Sequence, residues 1–364
     1  MSHDDLHEAS GPSLGTDPFS QGDGTLPYLI RLRERSLRMI AEAAPTRSPA
    51  SEPDEPQEAP DLGPPIPELP SFDDRDESAG ALDRLAGMLL TSSDEDRLAQ
   101  LNAGLGGRAY DEFGLSPRVT RRALAFFKLL YKYWFRVESS GHSVLPEKEG
   151  AILAANHGGL LPFDATMIVV DGVLAGKPPR LVRTVVDRWA GTLPFVNVFY
   201  ARVGQVVGSR DNVRELLRLK QLVLIFPEGM SGIRKRANER YVLQPFHLGF
   251  VEESLRHRVP IIPVAVVGAD DQAPVLWDLQ PLAKLLGLPF FPITPTFPLL
   301  GPLGLLPYPV RYEIAYGEPF RFYEEYPPEA LEDPHAVRYM TEQVRRRIQE
   351  MVDQRVLDRR AKRR

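Results

Sequence analysis

From Gly150 onward the chain alternates short apolar runs with amphipathic ones, and this alternation narrows the choice of fold more than any other feature. The runs A-I-L-A-A, L-V-R-T-V-V, L-V-L-I-F and I-I-P-V-A-V-V are mostly apolar at consecutive positions, as strands are when both faces are buried. Between them stand Ala165–Leu174, the run D-N-V-R-E-L-L-R-L and Leu248–Arg256, whose apolar residues recur at helical spacing. Parallel neighbours need a crossover, and a helix is the usual one. The pattern therefore predicts an α/β domain with a mostly parallel central sheet flanked by helices. In such sheets ligands gather where strands end and loops begin, so the turns after these strands are the places to look for chemistry.

The rest of the chain divides around that domain. Residues 1–80 are rich in Pro, Ser, Gly and acid and bury too little apolar surface to fold, so they read as a disordered leader; its one island, Y-L-I-R-L-R-E-R-S-L-R-M-I-A at 28–41, has the pattern of a short basic amphipathic helix. Residues 81–109 read as a helical linker containing a helical pair over 81–103, with Ser93 as a cap before D-E-D-R-L-A-Q-L. The folded domain is expected over 110–330. It opens with an aromatic-rich helix at 119–135 in which Val119, Ala123, Phe126, Phe127, Leu130 and Trp134 share a spacing with Arg and Lys among them. Residues 331–364 read as a C-terminal helix with a cationic tail, R-R-A-K-R-R.

Charge is distributed unevenly. Residues 1–100 carry 21 acidic against 8 basic side chains, so a net charge of -5 leaves the remaining 264 residues at +8. A basic folded part suits an anionic membrane surface or phosphorylated substrates. The absence of cysteine excludes disulfides, thiolate metal sites and a cysteine acyl-enzyme. The N-terminus lacks the basic region and apolar run of a secretory signal, and the most apolar stretch, Leu282–Pro309, is broken repeatedly by Pro and Gly. A chain of this kind is expected to lie on a membrane rather than span it, in the cytoplasm on the inner face of the cell membrane.

Two turns carry candidate chemistry. The first follows A-I-L-A-A and runs from Asn156 and His157 through G-G-L-L-P-F to Asp164. An imidazole with a carboxylate to fix its tautomer makes a general base near neutral pH. The plain alternative is a satisfied core histidine and an acid in the first turn of a helix opened by Pro162. The second turn follows L-V-L-I-F and reads F-P-E-G-M-S-G-I-R-K, bringing Glu228 and Gly229 to the same sheet edge with Arg234 and Lys235 just behind. A turn accounts for Pro and Gly but not for the cations. The one G-x-S-x-G string, G-P-S-L-G at 11–15, lies in the leader with no strand before it and so is no nucleophile elbow, and there is no H-E-x-x-H and no other His and carboxylate cluster with metal-ligand spacing. No metal site and no nucleic-acid module are expected.

Asn-His followed by Asp, then F-P-E-G, then I-I-P-V-A-V-V-G, in that order, resembles the glycerophospholipid acyltransferase family over about residues 110–320. Two departures stand out: six residues separate His157 from Asp164 where the family's commonest motif has four, and Met230 and Ser231 follow F-P-E-G where Thr and Arg are usual. Both are similar to a bacterial subgroup of monoacylglycerol and diacylglycerol acyltransferase-like members, as are V-G-Q-V-V-G-S-R-D-N and E-R-Y-V-L-Q-P-F-H-L-G-F. The resemblance implies a glycerolipid acyltransferase-like fold and a fatty acyl transfer to a lipid hydroxyl, with acyl-CoA or acyl-carrier protein as co-substrate and no other cofactor. It implies His157 as base, Asp164 as its orienting partner, and Glu228 with Gly229 in acceptor binding or site architecture. Arg210 would stand where the family keeps an arginine for a phosphate, with Arg234 and Lys235 as replacements for the missing third-motif arginine. For Arg210 and Lys235 a solvated surface cation is the competing reading, and backbone N–H groups around Gly158 and Gly159 are candidates to hold an oxyanion. A catalytically silent lipid-binding or scaffold protein of the same fold, and transfer to a non-glycerol acceptor, are the alternatives.

Overall fold

A computed structural model of the chain describes residues 77–193, 195–285 and 290–362. The acidic leader, its 28–41 helix and the last two arginines of the tail lie outside the described residues, apart from the leader's last four. The central sheet has seven strands: β1 (Glu138–Ser140), β2 (Ala151–Ala155), β3 (Val182–Val186), β4 (Val206–Val207), β5 (Leu222–Ile225), β6 (Ile261–Val267) and β9 (Glu313–Tyr316). They lie in the order β1-β9-β6-β2-β5-β3-β4, and every neighbouring pair is parallel except β6 with β9. The expected α/β fold with a mostly parallel sheet is the observed one. A separate pair, β7 (Trp277–Asp278) and β8 (Pro292–Ile293), sits within the proline-rich stretch, with a 3-10 turn at Gly301–Leu305.

The helices labelled here are α1 (Glu77–Leu89), α2 (Ser92–Ala103), α3 (Pro117–Leu129), α4 (Phe163–Leu174), α5 (Val196–Arg202), α6 (Arg210–Arg218), α7 (Gly249–His257) and α8 (Pro334–Ala361). Each of the four apolar runs gives a strand because both sheet faces are covered. Alternate residues of β2 go to opposite cores: Ile152 and Ala154 pack with Leu216, Phe250, Val344 and Ile348, while Ala151, Leu153 and Ala155 pack with Phe135, Met167, Ile168 and Tyr312. A fully buried aliphatic side chain is worth about 1.5–3 kcal/mol, so these central strands anchor whatever hangs from their ends. No helix among the described residues is long and apolar enough to cross a membrane.

Three local readings change. The helical pair expected as a linker over 81–109 is packed on the domain: Ala86, Leu90 and Leu98 meet Leu124, Val170 and Val173, and Arg97 donates to the carbonyls of Val173 and Gly176 at 2.9 and 2.6 Å. The cap of α2 is Thr91 rather than Ser93. Thr91 Oγ1 accepts from Asp94 N while Asp94 Oδ2 accepts from Thr91 N, and this reciprocal box starts the helix at Ser92, leaving Ser93 inside it although Asp96 stands three residues on. The helix expected at 119–135 starts at Pro117, capped by Ser116, and closes in a single π-turn over Leu130–Trp134.

One buried carboxylate locks the layers together. Asp171 on α4 accepts hydrogen bonds from Tyr131 Oη and Tyr316 Oη, both at 2.7 Å, and pairs with His142 Nε2 at 2.9 Å. Burial would raise its pKa, but the bonds from His142, Ser139, Tyr131 and Tyr316 together outweigh burial and hold it below the ordinary carboxylate range. A carboxyl with a depressed folded value stabilises above its unfolded pKa and loses that contribution as pH falls through the folded value. Asp171→Asn is therefore expected to cost about 3 kcal/mol in chemical denaturation at pH 7, and the gap to wild type should narrow below roughly pH 4. An equal gap at pH 7 and pH 3 would show that the carboxylate charge is not what stabilises.

Candidate active site

The turn after β2 is held in place before any catalytic group enters it. Asn156 continues the strand with its side chain, donating from Nδ2 to Val266 O at 2.9 Å and accepting from Val266 N at 2.7 Å. Its neighbour His157 thus leaves β2 in a fixed direction. The imidazole lies against the ring of Phe226, 4.1 Å between centroids and 22° from parallel. Gly232 permits this approach, since a Cβ there would stand 2.7 Å from His157 Cβ.

His157 Nδ1 is 2.6 Å from Asp164 Oδ2. Asp164 is completely buried and also accepts from Gly158 N at 3.0 Å and Ala165 N at 2.7 Å. A carboxylate satisfied in this way acts as acceptor toward the imidazole, so Nδ1 carries the proton and Nε2 presents a lone pair. Nε2 has no protein partner among the described residues, and the His157 side chain keeps 16% of its surface open. The arrangement can take a proton from a group docked at Nε2. Gly158 N–H, a candidate for the oxyanion, is instead spent on Asp164.

The six residues between His157 and Asp164 form an anchored loop. Tyr312 Oη donates to Gln272 Oε1 at 2.8 Å, and Gln272 Nε2 donates to Leu161 O at 3.1 Å. Gln272 reaches that carbonyl through the space a side chain at position 159 would fill: Gly159 has φ +80°, and its Cβ would stand 1.7 Å from Gln272 Nε2.

Glu228 is fully buried at the end of β5. One oxygen accepts from His157 N at 2.8 Å and the other from Gln244 N at 2.7 Å. Its place is architectural: it ties the β2 turn to the segment after the F-P-E-G turn. Gly229 beside it has φ +55°, which lets the chain reverse there. Lys235, for which a surface position was the competing reading, is buried: its Nζ sits 3.5 Å from Glu228 Oε2 and 3.6 Å from Asp270 Oδ2, with 3% of its side chain exposed. Burial raises the Asp270 carboxyl above the ordinary range, and the neighbouring Lys235 charge pulls it back.

The other two expected cations are not gathered around the imidazole. Arg210 opens α6 beyond the edge strand β4 and pairs with Glu252 at 3.0 Å, 64% exposed. Arg234 pairs with Asp278 of β7 at 2.9 Å. Sequence reasoning missed Asp270 and Gln272, which stand just past the Gly that ends the third motif. The signal was available, because the end of a third parallel strand belongs to the same edge as the first two. It also gave no role to Phe226, read as the last strand residue and the first of the turn.

The sequence profile of a family described as acyltransferase matches residues 136–267. An uncharacterized protein of Mycobacterium leprae is 38% identical over 247 residues, covering 67% of this chain and 67% of its own length. One of Mycobacterium tuberculosis is 37% identical over 283 residues, 73% of this chain and 78% of that protein. Phytyl ester synthase 2 of Arabidopsis thaliana is 30% identical over 138 residues, 36% of this chain and 19% of the plant protein. Among solved structures, a 1-acyl-sn-glycerophosphate acyltransferase of Thermotoga maritima is similar at 16% identity and a TM-score of 0.43, covering 75% of this chain and 88% of that one.

The buried trio yields a test. Lys235→Met leaves the Glu228 and Asp270 carboxylates facing each other without a cation, and the expected loss is about 3–5 kcal/mol. Adding Asp270→Asn removes one charge and should restore part of that stability in thermal melting. Additive losses in the double variant would argue against a trio coupled through its charges.

Proposed function

Because the chain belongs to the acyltransferase family, we propose that it moves a fatty acyl group from a thioester donor, acyl-CoA or acyl-carrier protein, to the hydroxyl of an uncharged lipid acceptor such as monoacylglycerol, diacylglycerol or a long-chain alcohol. The observation that carries this reading is the His157–Asp164 pair, bonded through Nδ1 with Nε2 left to face a substrate. Nε2 removes the acceptor's hydroxyl proton as that oxygen attacks the thioester carbonyl. The tetrahedral oxyanion collapses, the carbon–sulfur bond breaks, and the imidazolium returns the proton to the departing thiolate. The products are an ester and a free thiol, with no acyl-enzyme. Proton transfer by a placed base is worth about 10²–10⁴ in rate, and positioning supplies the rest.

An uncharged acceptor is favoured by how the cations are used. Arg210, Arg234 and Lys235 are each matched by carboxylates, so none of them is left uncommitted to clamp a phosphate. The plant relative, named for phytyl ester synthesis, agrees with this preference. A membrane source for the acceptor is supported by an apolar surface: Leu299 and Leu303 are 85% and 70% exposed. Trp134 Nε1 donates to Pro307 O, tying that stretch to the π-turn that carries exposed Tyr133 and Trp134. A silent scaffold would have no use for an imidazole held in one tautomer by a buried acid.

Purified protein should transfer acyl groups from a thioester to monoacylglycerol, diacylglycerol or phytol faster than to lysophosphatidate. His157→Ala should reduce the rate about 10²–10⁴-fold with an unchanged melting temperature. Asp164→Asn, which reverses the ring's tautomer preference, should lower it about a thousandfold or more. Equal rates for His157→Ala and wild type would sink the proposal.

A further inference from the structure

A cavity of about 400 Å³ opens between the end of α8 and the segment after the F-P-E-G turn, with Arg240, Tyr241, Asp271, Arg359 and Arg360 in its walls. A second, of about 280 Å³, adjoins it through Arg359 and adds Arg136, Arg311, Glu313 and Lys362. Six cations thus line the pair of cavities against two carboxylates, Asp271 and Glu313. Some of the six are committed. Arg240 and Arg359 reach Asp271 at 3.0 and 3.4 Å, Arg359 also donates to Arg311 O, and Arg311 pairs with Glu138 at 2.8 Å. Among the described residues Arg136 meets only the Pro309 carbonyl, and Arg360 and Lys362 have no ion pair. A concave surface with surplus guanidinium charge attracts phosphates and suits them geometrically.

The place of this pocket links it to the chemistry. Asp271 follows Asp270, which meets Lys235 and lies against Gly158 in the catalytic turn. Ala237 and Arg240 line both the larger cavity and a small one walled by Gly159, Gly232 and Lys235. The cations therefore stand on the same sheet edge as His157, separated from it by the buried trio. Val267 and Val356 give the larger cavity an apolar floor and Tyr241 an aromatic wall. That lining suits a base joined to phosphates better than a bare phosphate, and the volume is that of a small-molecule site.

We propose that this pocket holds the nucleotide phosphates of a CoA thioester donor, from which the flexible pantetheine arm reaches toward His157. The proposal rests on the acyl-transfer reading for the identity of the donor, but the pocket can be tested without turnover.

The full-length protein is titrated calorimetrically with adenosine 3′,5′-bisphosphate, which has the base and two of the three phosphates of CoA but neither arm nor acyl chain, and with inorganic phosphate. Wild type should bind the bisphosphate more tightly than inorganic phosphate, and Arg240→Gln/Arg360→Gln should weaken that binding about tenfold or more, with melting temperature as the folding control. In transfer assays the same variant should raise KM for palmitoyl-CoA by a similar factor, leaving kcat and the KM for palmitoyl-pantetheine unchanged. No bisphosphate binding by wild type, equal binding by the variant, or equal affinity for inorganic phosphate would overturn the site. Bisphosphate binding that is lost in the variant, alongside no transfer from any donor, would remove the catalytic reading and leave the pocket standing.

Discussion

The buried carboxylate of Glu228 is the interaction on which the rest of the site depends. Putting a charge where no water reaches is costly unless every lone pair has a use. Glu228 meets that condition by accepting from His157 N and Gln244 N and by standing beside Lys235. The ends of β2, β5 and β6 are thereby joined through one side chain, since Lys235 also faces Asp270 after β6. The imidazole is oriented by its own backbone as much as by its acid partner: Glu228 holds the amide, Phe226 the ring face and Asp164 the ring nitrogen. The reach of Nε2 toward a substrate is what remains.

Much of the fold was legible because four strands are largely buried on both faces, and a strand in that setting is apolar at most consecutive positions rather than at alternate ones. The first two motif turns were legible for a related reason: a His or Glu directly after such a run has no packing role on the strand itself. What could not be read was which polar groups would meet across strands. Lys235 follows Arg234 in a stretch that looks like surface, and nothing local says that one of the two turns inward. The deciding fact is the depth of Glu228 and Asp270, two carboxylates that need a cation between them. Asp94 tells the same story on a smaller scale, since its hydrogen bond back to Thr91 decides the cap of α2 and is invisible until both positions are fixed in space.

The six-residue spacer between His157 and Asp164 looked like a departure from a shorter motif, and the structure gives it a mechanical reason. With two more residues the loop extends to Leu161, whose carbonyl is caught by Gln272, which in turn is held by Tyr312. The longer loop is thus paid for by a brace from two other elements, and the brace requires Gly159, since any side chain there would occupy the position of the Gln272 amide. Spacing and brace belong together. A chain with the longer spacer and no hydrogen-bonding residue at position 272 would leave His157 on a loose loop.

Two histidines among the described residues pair with buried aspartates, and only their surroundings separate them. His142 and Asp171 meet at 2.9 Å, much as His157 and Asp164 meet at 2.6 Å. Yet Asp171 also accepts from two tyrosines that reach it from the π-turn and from β9, so its carboxylate serves as a hub that ties layers together. Asp164 takes its other bonds from the backbone of its own turn, Gly158 and Ala165, and so ties nothing together except the loop that carries the imidazole. The two rings are also bonded through different atoms. His142 spends Nε2, the nitrogen at the tip, on its acid, whereas His157 spends Nδ1 and keeps the tip for whatever approaches. A His–Asp pair acquires a chemical use when the acid is satisfied locally and the far nitrogen stays outward, and position 157 meets both conditions where position 142 meets neither.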